Sequence, residues 1–249
     1  MIDTSTVLQL EVQNPAYDLP FFLTFMNDIV KQLQDLLNGV KDEKRAVQMA
    51  AYMKNKFEFF GVMAQPRREK FLKWRQMLPS DLDRSQAWQI VHECWEQAPR
   101  EMQYCGIDWL QKWPKKSYMK NDIHELEFIL INKSWWDSID PIATHLVANF
   151  ALQYPQYFKE IAYEWELSTN FWLHRTLLIH QLKFKKLTNL PLLEHYIHTF
   201  KANNEFFIQK AIGWSLREVA KWNPDWVKNV VIKEDLKGLA RREALKYIQ

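Results

Sequence analysis

The stretch from Glu205 to Trp222 reads EFFIQKAIGWSLREVAKW. At about 100° per residue, Ile208, Ile212, Leu216 and Val219 fall in one apolar stripe, which predicts an amphipathic helix with those four residues facing a core. Lys210, Trp214, Arg217 and Lys221 then lie on the opposite side, three cations around an indole. That indole has two readings. It packs against a neighbouring helix beneath the stems of Lys and Arg, or it belongs to a surface where cations neutralise phosphates and the aromatic ring meets a nucleotide.

Working upstream, the same signal recurs with a fixed period. Trp136, Phe171 and Phe206 lie 35 residues apart, and so do Asp140, Arg175 and Lys210. Each period is long enough for two helices, and equal phases project from corresponding places in a stack of repeats. Asp140, Arg175 and Lys210 are therefore expected on one surface that mixes acid and base. From Pro20 onward helical periodicity dominates, broken at Gly39, Gly61, Pro79, Pro99, Pro114, Pro155, Pro191 and Pro224, with almost no period-2 pattern. The fold class is all-α, a solenoid of antiparallel two-helix repeats. The period is shorter than usual for HEAT repeats and close to that of tetratricopeptide repeats, whose Trp, Leu-Gly and Tyr signature is absent, and period alone does not separate the two. Residues 1–19 lack a pattern and read as an extended or poorly ordered leader. Residues 20–249 read as a single repeat domain.

Composition narrows the function classes. The 249 residues carry 33 Lys and Arg against 30 Asp and Glu, so a nucleic-acid partner has to be argued from where charges sit rather than from their sum. Twelve Trp beside five Gly disfavour a turn-rich β protein and leave indoles over for contact work. Cys94 and Cys105 have no CxxC spacing and read as buried thiols of a reducing cytosol. No run reaches the length of a membrane span, and Met1 to Pro20 carries acids rather than a basic signal region. His195 and His198 share a helix face without an HExxH motif or a Cys cluster, so no metal and no cofactor is expected.

Two further segments bear chemistry. Arg175 sits in the first turns of a helix starting near Phe171, with no acid three or four residues away, which makes a phosphate or a distant Glu its expected partner. Lys183, Lys185 and Lys186 follow it, and Arg67, Arg68, Lys70, Lys73 and Arg75 form another basic run of the kind that usually makes a solvated face. Lys133 to Pro141 places two indoles and two carboxylates at a junction between helices. On spacing alone its residues read structurally: Ser134 with Asp137 as a capping box, Asp140 as an N-cap before Pro141, and Trp135 or Trp136 closing the core.

Taken together, Lys-Ser-Trp-Trp-Asp-Ser-Ile-Asp (133–140), Trp-Leu-His-Arg (172–175), Gln-Leu-Lys-Phe-Lys (181–185) and Glu-Phe-Phe-Ile-Gln-Lys-Ala-Ile-Gly-Trp-Ser-Leu-Arg-Glu (205–218) resemble the AlkD-type alkylpurine DNA glycosylases in order and spacing. The likeness begins near Ala51-Tyr52-Met53-Lys54-Asn55 and runs to Lys246. It implies a HEAT-like solenoid holding double-stranded DNA on its concave face and releasing cationic N3- and N7-alkylated purines. By motif, Asp140 is the catalytic carboxylate, flanked by Trp136 and Trp214. Arg175 and Arg217 contact the phosphate backbone, with Tyr52 and Lys183 as further contacts, and Lys210 joins the DNA contacts from its place on the cationic face of the 205–222 helix. His174 and Thr176 stand where the family has Gln and Ala. A monomer in the cytoplasm acting on duplex DNA is the implied setting, with the lesion left stacked rather than flipped. The alternatives are a non-catalytic HEAT-like DNA-binding protein and a protein-interaction scaffold.

Overall fold

A computed structural model describes residues 19–248 of the chain, with side chains from Asp28 onward. All but Leu19 of the expected leader lies outside the described residues. Those residues form helices and no sheet, apart from one isolated bridge between Glu58 and Pro99. They fall into two compact units that divide between Cys105 and Gly106.

The first unit holds α1 (Leu19–Asn38), α2 (Glu43–Tyr52), α3 (Ala64–Gln76), α4 (Arg84–Glu96) and the start of α5 (Arg100–Leu110). Asp42 caps α2 by accepting from the Arg45 N–H, and Asp83 with Gln86 makes a reciprocal capping box at α4, so polar residues fix both starts. Helix α1 packs on α3 and α4, and the Trp74 indole donates 2.8 Å to the carbonyl of Ile29. Between α2 and α3 the chain is irregular, and its amides need partners. The buried carboxylate of Glu101 accepts from the N–H groups of Phe60, Gly61 and Val62 at 3.1, 2.9 and 3.0 Å. Gly61 has φ +81° there, and a Cβ would overlap the Asp42 backbone, so only glycine fits. Cys94 and Cys105 are buried thiols, outside any disulfide among the described residues.

The second unit is where the period takes physical form. It holds α6 (Asp122–Ile131), α7 (Trp136–Pro141), a π-helical turn (Ile142–Val147), α8 (Ala148–Gln153), α9 (Pro155–Leu167), α10 (Phe171–Ile179), a 3-10 turn (Lys185–Leu187), α11 (Leu190–Phe200), α12 (Phe206–Ala220), α13 (Pro224–Lys233) and α14 (Gly238–Ala244). The three aromatic residues 35 apart, Trp136, Phe171 and Phe206, are each the first residue of a helix. Helices α7, α10, α12 and α14 pack on one another in succession. The alternate helices α9, α11 and α13 are joined by polar side-chain contacts: His195 of α11 with Glu166 of α9 at 2.9 Å, and an ion pair of Lys233 of α13 with Glu194 of α11 at 2.5 Å. Proline begins α9 and α13, where its missing N–H costs nothing. The predicted stripe of Ile208, Ile212, Leu216 and Val219 is buried.

Pro141 behaves otherwise. The sequence reads Asp140-Pro141 as a helix start, but the helix already begins at Trp136, with Trp135 as N-cap, and runs through Pro141 into the π turn. Neither the Ser134–Asp137 capping box nor the Asp140 cap forms; the Ser134 hydroxyl donates to the Leu130 carbonyl instead. The wider turn after Pro141 has side chains against two carbonyls. Thr144 Oγ1 donates to the Asp140 carbonyl at 2.8 Å, and His145 Nδ1 lies 3.1 Å from that of Pro141.

Candidate active site

The first helical turn after Trp135 orders the site. Trp135 is buried in an aromatic cluster with Trp172 and Phe207, ring centres 5.8 and 5.0 Å away, so of the two adjacent indoles it is the one that closes the core. Trp136 is only half-buried. One turn further along α7, Asp140 shares its face, because residues four apart stack on a helix.

Asp140 meets Arg175 of α10. The guanidinium donates through Nε to Oδ1 at 2.9 Å and through Nη2 to Oδ2 at 3.0 Å, a two-pronged pair, while Nη1 donates to the Phe207 carbonyl at 2.6 Å. The Arg175 side chain is 3% exposed and that of Asp140 18%. Burial pushes the Asp140 carboxyl above its ordinary range, the Arg175 charge and hydrogen bonds pull it back, and Asp137 adds a smaller push upward.

Of the two partners expected for Arg175, a phosphate or a distant acid, the structure shows an acid, Asp140. A search for acids on its own helix finds none, but the partner lies one full repeat away, at a separation of 35 residues. The period already placed the two at the same phase. Adjacent packed helices sit about 8–10 Å apart, within reach of an Asp and an Arg.

A second charged cluster lies on α12. Lys210 donates 2.8 Å to Glu243 of α14, and Arg217 donates to the other oxygen of the same carboxylate. Both partners, led by the Lys210 hydrogen bond, hold the Glu243 carboxyl below its ordinary range. Glycine makes the approach possible, since a Cβ on Gly213 would overlap Glu243 and Ala240. Lys221 pairs with Glu218 at 2.6 Å. The cationic face read from helix phase is thus largely neutralised from within, and Glu243 is the residue that local periodicity missed. Trp214, one turn after Lys210 and three residues before Arg217, is half-buried between them on that face.

Lys183 is exposed, with Nζ 2.5 Å from His145 Nε2. Burial, then Lys183, holds His145 below its ordinary range, which favours the neutral ring with a lone pair toward the ammonium. Tyr52 ends α2 in the first unit, 71% exposed, beside Arg45, Met49, Phe59 and Tyr104. His174 stacks on Phe200 at 4.3 Å and bonds the Ser168 carbonyl, and Thr176 bonds the Trp172 carbonyl, so both act as packing residues. Among the described residues no group of three or more His, Cys, Asp or Glu could hold a metal ion, and no helix is long and apolar enough to cross a membrane.

The pattern of a known family, described as DNA alkylation repair enzyme, matches residues 33–248. The chain belongs to that family. A solved structure from Enterococcus faecalis, titled a predicted DNA alkylation repair enzyme, is similar at 32% identity and a TM-score of 0.74, covering 84% of this chain and 96% of that one. No curated protein matches. Membership in a DNA alkylation repair family makes DNA the partner of this fold, and the matched region takes in Tyr52, Trp136, Asp140, Arg175, Lys183, Lys210, Trp214 and Arg217.

Proposed function

We propose that this protein is a DNA glycosylase that hydrolyses the N-glycosidic bond of cationic N3- and N7-alkylated purines in duplex DNA, acting as a monomer in the cytoplasm and leaving the lesion stacked. The observation that carries this reading is the Asp140 carboxylate, mostly buried beside a half-buried indole and fixed in orientation by both prongs of Arg175. An alkylated purine needs no acid, because its ring charge is neutralised as the bond to C1′ breaks and the electron pair passes to the ring. The deoxyribose is left with oxocarbenium character. A preorganised anion stabilises that charge, and the same carboxylate orients a water for attack at C1′ and accepts its proton. The base leaves neutral, and the sugar gains a hydroxyl.

In this reading Arg175 is a positioning residue rather than a phosphate contact. The faces of Trp136 and Trp214 attract the cationic nucleotide through their quadrupoles, and Arg217, Lys210, Lys183 and Tyr52 contact the duplex.

The deciding experiment incubates the protein with methylated duplex DNA and measures free 3-methyladenine and 7-methylguanine. Release separates an enzyme from a non-catalytic DNA binder and from a protein scaffold. Asp140→Asn keeps the side-chain shape and removes the charge. It is expected to slow single-turnover release by about a hundredfold or more while leaving affinity for undamaged duplex near wild type; the melting temperature falls by several degrees because the buried Arg175 loses its anion, so release is compared at a temperature where the variant is folded. Undiminished release from the folded variant would overturn the mechanism.

A further inference from the structure

Away from Asp140, the second unit contains a cavity of about 580 Å³ between the end of α10, the 3-10 turn, α11 and the C-terminal half of α12. Small-molecule sites usually fall at about 300–1,000 Å³ and are mostly apolar with a few placed polar groups. This cavity fits that description. Leu178, Leu182, Leu193 and Val219 supply its aliphatic body. It shares none of Trp136, Asp140, Arg175, Trp214 and Arg217 with the site above.

Two features say what would fill it. Gln181, on its wall, is 5% exposed; its Oε1 accepts from the Asn189 N–H at 2.8 Å, and its Nε2 has no hydrogen-bond partner among the described residues. A buried amide donor left unanswered is costly, and turning the Gln181 side chain toward the cavity would let an oxygen acceptor there relieve it. The charged groups lining the cavity are Lys185, Lys186, Lys221 and Glu218. Lys221 and Glu218 pair with each other, which leaves the exposed Lys185 and Lys186 as a net positive entrance. An apolar body with an anionic, oxygen-bearing head answers both features.

We propose that this cavity is a binding site for a small amphiphilic monocarboxylate, its tail among the four aliphatic residues and its head between Gln181 and the two lysines. The geometry favours a small molecule over a nucleotide because four aliphatic side chains form the body of the cavity. The reading does not depend on base release, and its test needs no DNA.

Decanoate is the probe, titrated calorimetrically into the full chain and followed by the side-chain amide resonance of Gln181. Saturable one-to-one binding with a shift of that resonance is expected, with decanol binding more weakly and AMP failing to compete. Gln181→Glu retains the acceptor for Asn189 while replacing the donor with a like charge, and should weaken decanoate by at least about tenfold, as expected for losing a hydrogen bond to a charged group. Lys185→Ala with Lys186→Ala changes only exposed residues and should weaken binding several-fold while flattening its salt dependence. Failure of decanoate to bind below millimolar concentration, equal binding by both variants, or displacement by AMP would each overturn the proposal.

Discussion

The two carboxylates that organise the second unit are built in opposite ways. Asp140 has one partner, Arg175, in a buried two-pronged pair, and burial outweighs that partner so that its carboxyl is raised above the ordinary range. Glu243 has two partners, Lys210 and Arg217, more exposed than Arg175, and they hold its carboxyl below the ordinary range. A carboxylate whose charge is costly yet fixed in place suits a reaction that develops positive charge beside it. One whose charge is comfortable serves as a counterion, here for Lys210 and Arg217.

The comparison breaks most visibly at Arg175. Arg175→Ala leaves Asp140 buried without its partner and the Phe207 carbonyl without a donor, and should cost about 3 kcal/mol of stability, the low end for breaking a buried pair. A fall in melting temperature of at least about 6 °C is expected, together with a further rise of the Asp140 titration and loss of base release. Unchanged melting would mean that the guanidinium does not anchor the carboxylate.

Titration sharpens the contrast because the signs differ. In the proposed mechanism release needs ionised Asp140, so its rate should fall by about tenfold per pH unit below the raised value of that group, in a window above the ordinary aspartate range. The folded chain binds this proton more tightly than the unfolded chain. Asp140's own contribution to stability therefore grows as pH falls through that window and shrinks as it rises. Glu243 does the reverse: its contribution is present above the ordinary glutamate value and is lost as pH falls through its depressed one. Rate profiles with Asp140→Asn as reference, and melting profiles with Glu243→Gln as reference, separate the two; parallel profiles would erase the distinction.

The smallest effect is expected at Glu243 itself. Glu243→Gln frees Lys210 and Arg217 for phosphates, so duplex affinity should rise a few-fold, and the slope of log affinity against log salt should steepen by about one unit per freed cation. Stability should change by no more than about 1 kcal/mol, since both pairs are partly solvated. Arg217→Ala should shallow the same slope by about one unit. Weaker binding by Glu243→Gln would instead make the carboxylate a positioning group that holds the two cations where DNA needs them.

Much of this was legible in the chain of residues, and the reason is periodicity. Apolar spacing located α12 and its buried stripe, and the 35-residue interval set Trp136, Phe171 and Phe206 at one phase, which the structure makes the first residues of α7, α10 and α12. That interval also put Asp140, Arg175 and Lys210 at one phase. Phase fixes a direction but not a neighbour. Whether Arg175 faces a phosphate or the acid one repeat away depends on how closely α7 and α10 approach, and whether Lys210 and Arg217 stand open depends on a glycine that lets α14 settle onto α12. Pro141 likewise reads as a helix start, since its ring is compatible with one. Only the packed structure shows that the helix begins at Trp136 and runs through Pro141, which sets Asp140 inside the helix rather than at its cap. Local sequence determines which way a side chain points; contacts between repeats decide what it meets.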